Sequence, residues 1–167
     1  EVGIGSGLNL PFYDTAQVSK VWGLEPSPEL RRMAEKTAQE VDLVVDFLDL
    51  PGEDIPLPDH SVDTVVITYT LCTIADTARA LAQMRRVLKP DAELLFSEHG
   101  RAPDDGVRRW QDRIDPYWGT FTGGCHLNRP IDELIVNAGF RFEAMDTMYI
   151  PGPRPMSFTY WGAAVAI

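Results

Sequence analysis

Short apolar runs alternate along the chain with stretches in which apolar residues recur every three or four positions, so strands and helices are expected in turn. Residues 18–25 read as a short strand ending in the acidic Glu25. Ser27-Pro28 with Glu29 behind it reads as a helix start with Pro28 in the first turn, and the helix runs to about Glu40. Its inward face is expected to carry Leu30, Met33, Ala34 and Thr37. A second strand is expected over 41–47, followed by a Pro- and Asp-rich loop over 50–60. The β-branched run 62–69 predicts a strand buried on both faces. Asp76 is placed to cap a helix reaching Leu88, with Ala78, Leu81, Met84 and Leu88 inward and Pro90 as its stop. Beyond it come a strand over 92–99, a Trp- and Arg-bearing helical insertion over 104–124, and a helix over 129–138 closed by Gly139. Two strands, 140–148 and 158–167, finish the chain. This alternation predicts an α/β fold: a doubly wound, mostly parallel sheet with helices on both faces and an antiparallel C-terminal strand.

At 167 residues the chain is one domain, residues 1–167, long enough to bury about 70% of its unfolded surface. The net charge of −10 argues against a nucleic-acid partner, because phosphate neutralisation needs a basic face. It disfavours a large anionic substrate for the same reason. Cys72 and Cys125 show neither a pairing pattern nor metal-ligand spacing, so no metal is expected, and a reducing cytoplasm suits them. No apolar run approaches the roughly 18 residues of a membrane span. The chain begins at Glu1 without an initiator Met and with no apolar run ahead of its first glycines. It therefore reads as a fragment whose first, central strand is truncated to its last residues.

Those first residues carry the strongest chemical signal. Glu1-Val2-Gly3-Ile4-Gly5-Ser6-Gly7 sets glycines at alternate positions behind an acid. Between a strand and a helix such a turn leaves backbone N–H groups bare, and glycine lets a ligand approach them. The dinucleotide fingerprint GxGxxG would need a glycine where Leu8 stands. Glu25 closes the second strand about 20 residues on, where a doubly wound sheet places the acid that accepts ribose hydroxyls. The plainer reading of Glu25 is a helix N-terminal charge favoured by the dipole.

The pattern acidic-x-G-x-G-x-G resembles motif I of the class I methyltransferases that use S-adenosyl-L-methionine. Residues 52–63, from Gly52-Glu53-Asp54 through Leu57-Pro58 to Val62-Asp63, are similar to the segment that covers the adenine in that class. Together with Arg86-Val87-Leu88-Lys89-Pro90 and Leu94-Leu95-Phe96-Ser97-Glu98-His99, they resemble the methyltransferases of ubiquinone and menaquinone biosynthesis. Asp91-Ala92 departs from the Gly-Gly usual after Lys-Pro in that family. A narrower resemblance runs through Leu71-Cys72, Glu98-His99, Asp115-Pro116-x-Trp118 and Gly124-Cys125-His126-Leu127-Asn128-Arg129. It points to the methyltransferase-like branch that contains membrane-associated alkyl thiol methyltransferases. The resemblance implies a Rossmann-like fold, S-adenosyl-L-methionine as cofactor, and methyl transfer to a small-molecule acceptor: a thiol, a quinone or a lipid. The implied cofactor contacts are Glu1, Gly3, Gly5, Gly7, Asn9, Glu25, Gly52, Glu53, Asp54 and Thr70.

Methyl transfer from a sulfonium needs alignment and a dry site, and a base only where the acceptor carries a proton. His99 and His126, each after an expected strand or insertion end, are the candidate bases, and Asp115 could orient one of them. The alternative for each histidine is a structural hydrogen bond. The acceptor pocket is expected to draw on the insertion, 104–128, with Trp110, Trp118 and Cys125, and on Tyr13. Trp110, Tyr117 and Phe121 also recur at helical spacing, which equally predicts a core face. Cys125 is not read as a nucleophile, having no evident base beside it, and Cys72 reads as buried filler. Two competing functions stay open: a nicotinamide-dependent oxidoreductase, and a methyltransferase-like partner protein without activity.

Overall fold

The computed structural model describes residues 1–167. The elements run β1 (Lys20–Leu24), α1 (Pro28–Glu40), β2 (Val44–Leu48), β3 (Val62–Thr68), α2 (Thr77–Val87) and β4 (Leu88–His99). They continue with α3 (Asp105–Phe121), α4 (Ile131–Asn137), β5 (Phe140–Tyr149), the single turn α5 (Arg154–Ser157) and β6 (Phe158–Ala166). A 3₁₀ turn, Leu10–Phe12, follows the glycines.

β1 and β2 pair in parallel, as do β3 and β4, while β6 runs antiparallel between β4 and β5. Val2 makes single parallel bridges to Leu24 and to Ile67, and so joins the two halves. The sheet order is therefore β2, β1, the Val2 segment, β3, β4, β6, β5. Two halves with opposite directions of winding meet at Val2, and a doubly wound sheet opens its ligand crevice at such a switch point. Val2, through its two bridges, occupies the central position of the sheet.

Helix starts follow the chemistry of their caps. The Ser27 hydroxyl accepts the Leu30 N–H at 3.3 Å, and the Asp76 carboxylate accepts the Arg79 N–H at 3.0 Å. The buried faces differ from the expected ones. In α1 only Ala34 is fully buried, with Leu30 and Met33 exposed, because the helix is drawn tightly onto the glycine turn and only a methyl fits there. In α2 the expected Leu81, Met84 and Leu88 are buried, but Ala80 and Val87 share the inward stripe and Ala78 is exposed. β3 is not buried along its whole length, since Asp63 and Thr64 lie at its exposed entrance while Val65 and Ile67 are inside.

The main core gathers 21 buried residues around Ile67, Met84, Leu94, Ile135 and Phe140. A smaller cluster of Ile4, Leu10 and Val21 lies beneath the glycine turn. Truncating Leu81 or Met84 to Ala is expected to cost about 2–5 kcal/mol.

Candidate functional site

A cleft of about 870 Å³ opens over the switch point, within the size range of small-molecule sites. Its floor is the glycine turn, and the three glycines serve different ends. All have positive φ: +71° at Gly3, +56° at Gly5 and +79° at Gly7. A Cβ on Gly3 would lie 2.3 Å from the Thr70 side chain, and one on Gly7 would meet the Ala34 backbone at 3.0 Å. A Cβ on Gly5 would meet nothing nearer than the Gly3 carbonyl at 4.0 Å. Gly3 and Gly7 therefore let chain segments pack closely. Gly5 leaves space that belongs to the cleft, and Gly7 is not among the residues that line it.

Two carboxylates anchor the turn. Glu25, buried just past β1, accepts the Gly5 N–H at 3.1 Å on one oxygen and the Ser27 N–H at 2.9 Å on the other. A carboxylate offers about four lone-pair positions, so each oxygen keeps one free for a ligand hydroxyl. Glu1 accepts from Asn9 Nδ2 and from the Tyr13 hydroxyl, both at 2.8 Å, and Asn9 also donates to Thr68 Oγ1 at 2.9 Å. Burial and the Glu1 charge push the Tyr13 phenol well above its ordinary value, so it stays a neutral donor.

Across the cleft stand Gly52, Glu53, Leu50 and Ile74, with Leu30 of α1 turned toward the opening. The Glu53 carboxylate accepts the Asp76 N–H at 3.2 Å. Thr70 lines the inner wall, and its N–H donates to buried Glu98 at 2.8 Å. Glu98 also accepts the Leu71 N–H at 2.9 Å, which pins the loop after β3 to the end of β4. Its other oxygen is buried without a partner, and desolvation pushes the carboxyl up to about 7.

The insertion side is arranged differently from expectation. Neither His99 nor His126 lines the cleft. His99 Nε2 lies 3.2 Å from Cys125 Sγ, so Cys125 does have an imidazole beside it. The His126 N–H donates to the Cys72 carbonyl at 2.9 Å, and its Nδ1 lies 2.9 Å from Asp115, which also accepts the Leu127 N–H at 2.6 Å. The 124–128 segment packs on the Cys72 loop, and this holds both histidines behind the cleft wall. Cys72, His99 and Cys125 place their ligand atoms within 4.8 Å of one another, a grouping of metal-binding types that their spacing in sequence does not reveal. The neighbouring Cys72 thiol, then His99 and the Trp118 indole, lower the Cys125 thiol to about 4 against the opposing effect of burial. The neighbouring Cys125 and burial push the Cys72 thiol up.

Several expected site residues stand elsewhere. Asp54 turns outward into an ion pair with Arg79 at 2.6 Å and does not line the cleft. Tyr13 is occupied by Glu1 and packs on the small cluster below the turn. Trp118 is half-buried beside Cys125, outside the cleft. Trp110, Tyr117 and Phe121, at 58%, 71% and 86% exposure, form neither pocket nor core. The inward face of α3 instead carries Gln111, Asp115 and Trp118.

Gln111 is what fixes that face. Fully buried, it accepts the Ala102 N–H at 2.9 Å and donates toward the carbonyls of Gly100, Leu127 and Pro155 at 2.9–3.1 Å. Sequence reasoning missed it, along with Glu98 and Arg129, whose guanidinium donates to the carbonyls of Leu71 and Ile74. The readable signal was a charged or amide residue inside an otherwise apolar element, as at Glu98.

A methyltransferase domain family matches residues 1–96, more than half of the chain. The chain belongs to that family, and its cofactor class is S-adenosyl-L-methionine. The curated relatives include human thiol S-methyltransferase TMT1B, 35% identical over 144 residues, which cover 84% of this chain and 58% of the relative. Another is the demethylmenaquinone methyltransferase of Thermus thermophilus, 28% identical over 129 residues, 74% of this chain and 59% of that one. The chain thus spans somewhat more than half the length of the curated relatives it matches. A solved methyltransferase structure from Methanosarcina mazei aligns over 99% of this chain and 90% of its own, with a TM-score of 0.77 at 20% identity. That likeness bears out the Rossmann-like sheet. The residues present fit the cofactor: space at Gly5 that a Cβ would fill, and Glu25 with lone pairs free on both oxygens.

Proposed function

We propose that the protein transfers a methyl group from S-adenosyl-L-methionine to a small-molecule acceptor, with a thiol as the leading class. The observation that carries this reading is the Gly5 turn, open to the cleft and tied at its back to the buried carboxylate of Glu25. When bound, the cofactor supplies an activated sulfonium methyl, so the protein's task is alignment and exclusion of water. Glu25 accepts ribose hydroxyls, and the Gly3–Gly5 backbone with Glu1 and Asn9 holds the polar end of the cofactor. Gly52, Glu53 and the apolar side chains of Leu30, Leu50 and Ile74 enclose the base. Tyr69, Thr70 and Thr73 line the wall nearest the insertion and face the acceptor.

The human relative is a thiol S-methyltransferase, which supports a thiol acceptor, and the bacterial one is a demethylmenaquinone methyltransferase, which supports a quinone. An oxidoreductase is disfavoured, since Leu8 occupies the position of the third dinucleotide glycine and is mostly exposed. Two free cysteines favour a reducing compartment, and the cytoplasm is the location we assign. No helix is long and apolar enough to cross a membrane. Calorimetric titration with S-adenosylhomocysteine, with NADH as control, tests the reading. Binding of the former alone is expected, followed by labelled-methyl transfer in a screen led by alkyl thiols. Binding of NADH without S-adenosylhomocysteine would overturn it.

A further inference from the structure

We propose that Cys72 Sγ, Cys125 Sγ and His99 Nε2 form a site for a soft divalent cation, Zn2+, beside the cofactor cleft. The three donors lie within 4.8 Å of one another, and Cys125 Sγ is 3.2 Å from His99 Nε2. Tetrahedral zinc, with Zn–S near 2.3 Å and Zn–N near 2.0–2.1 Å, sets sulfur and nitrogen about 3.5 Å apart and two sulfurs about 3.8 Å apart. The 3.2 Å pair already lies near that spacing, and the 4.8 Å limit leaves at most about 1 Å to close between the other donors. Two thiols and an imidazole are soft and borderline donors, which select zinc over magnesium or calcium.

The donors come from three separate segments: the loop after β3, the end of β4 and the loop after α3. The three segments are tied to one another by bonds that do not use the side chains of the three donors. Glu98 holds the Cys72 loop through the Thr70 and Leu71 N–H groups, and Arg129 holds it through the Leu71 and Ile74 carbonyls. The bond from the His126 N–H to the Cys72 carbonyl sets the Cys125 loop against it. Thr73 Oγ1 lies 3.5 Å from Cys72 Sγ, and the Tyr69 ring stacks on His99 at 6.1 Å. Both Thr73 and Tyr69 also line the cofactor cleft, so the cluster borders it. Two thiolates balance the charge of a divalent ion.

Three protein ligands leave one tetrahedral position for water or substrate, the arrangement of catalytic rather than structural zinc. An acceptor thiol binds there as a thiolate: its proton passes to water, and its sulfur keeps the electron pair that will take the methyl. This part rests on the thiol reading above, whereas the metal site does not. It would explain why neither histidine stands in the cleft as a free base.

The test uses protein purified under a phosphine reductant. Zn2+ affinity is measured by competition with a chromophoric chelator, and Co2+ is added to read thiolate-to-cobalt charge-transfer absorption. One equivalent is expected to bind with that absorption present. Cys125→Ser and His99→Gln should each weaken Zn2+ binding at least about 100-fold, beyond the loss typical of residues that only support a ligand. Retained affinity for S-adenosylhomocysteine certifies that each variant is folded, so the fully buried Cys72 need not be changed. Absence of stoichiometric binding under reductant, or unchanged affinity in both variants, overturns the site. Adding an alkyl thiol to the Co2+ form should shift the charge-transfer band, and no shift overturns the thiolate position. Zinc binding without thiol methylation refutes the thiol reading and leaves the site standing. Thiol methylation at an unchanged rate after chelation refutes the metal's role and leaves the proposed function standing.

Discussion

Gly5→Ala separates the ligand-binding part of the glycine turn from its packing part. At φ +56° an alanine incurs the left-handed penalty of about 1–2 kcal/mol, but its Cβ meets no atom closer than 4.0 Å, so no clash is added. Gly3→Ala incurs the same penalty and also sets a methyl 2.3 Å from Thr70 Cγ2 and Oγ1, an overlap that displaces the central segment from β3. Overpacking of this kind adds about 1–3 kcal/mol. Gly5→Ala is thus expected to lower stability by about 1–2 kcal/mol, and Gly3→Ala by about twice that. Thr70→Ala, which removes the two closest clashing atoms and leaves the Cβ at 2.8 Å, should restore part of the Gly3→Ala loss and none of the Gly5→Ala loss. Cofactor affinity should respond in its own way: the Gly5→Ala methyl stands in the approach path, and a loss of at least tenfold, about 1.4 kcal/mol, is expected for S-adenosylhomocysteine. Urea unfolding and calorimetry on the same preparations provide both numbers. Affinity within twofold of the parent in Gly5→Ala, or stability losses equal in the two variants, would refute this division of labour.

Gln111→Leu should cost at least about 3 kcal/mol in urea unfolding, because it strands the Ala102 N–H and several buried carbonyls in one step, whereas a loss below 1 kcal/mol would remove Gln111 as the peg of α3. Ser in place of Trp110 or Phe121 should change stability by no more than about 0.5 kcal/mol, and a cost above 2 kcal/mol would mean that these rings are packed after all. Asp54→Ala breaks an exposed ion pair worth about 0–1 kcal/mol and should leave S-adenosylhomocysteine affinity intact, while a tenfold loss would return Asp54 to the site. In chelator-treated protein Glu98 gives a pH signature. Its carboxyl, raised from 4.5 to about 7 by desolvation, keeps a proton in the folded chain that the unfolded chain has already released. The stability it contributes is full below pH 4.5 and is lost as pH rises through 7, by about 3 kcal/mol at most. Glu98→Gln should flatten this fall relative to the parent, and parallel pH profiles for the two would exclude Glu98 as its source.

The residues legible in sequence are those whose role is set by local geometry. Alternate glycines behind an acid can form only a turn that crowds something, and Glu25 follows at the next strand end because a βαβ unit has a fixed length. Ser27 and Asp76 declare their helices because a cap needs only its own first turn. The sequence thereby determined the alternating α/β fold and the polar floor of the cleft, and the resemblance of its glycine motif implied the cofactor class. It could not tell which glycine faces a ligand, since that depends on Thr70 and Ala34 arriving from elsewhere in the chain.

Helix faces were misread for a related reason. One residue of rotation separates the expected stripe of α3 from the observed one, and in α2 Ala80 is buried in place of the expected Ala78; only the packing beneath decides which positions are covered. In α3 a single buried glutamine outweighs three aromatic rings, because unmet backbone groups in the interior are more expensive than exposed rings on the surface. Cys72, His99 and Cys125 are ordinary residues when read in line, too far apart for any spacing rule. The parallel pairing of β3 with β4 brings Cys72 and His99 to one end of the sheet, the His126 N–H bond to the Cys72 carbonyl seats the Cys125 loop beside them, and chemistry that depends on such long-range convergence belongs to the tertiary structure alone.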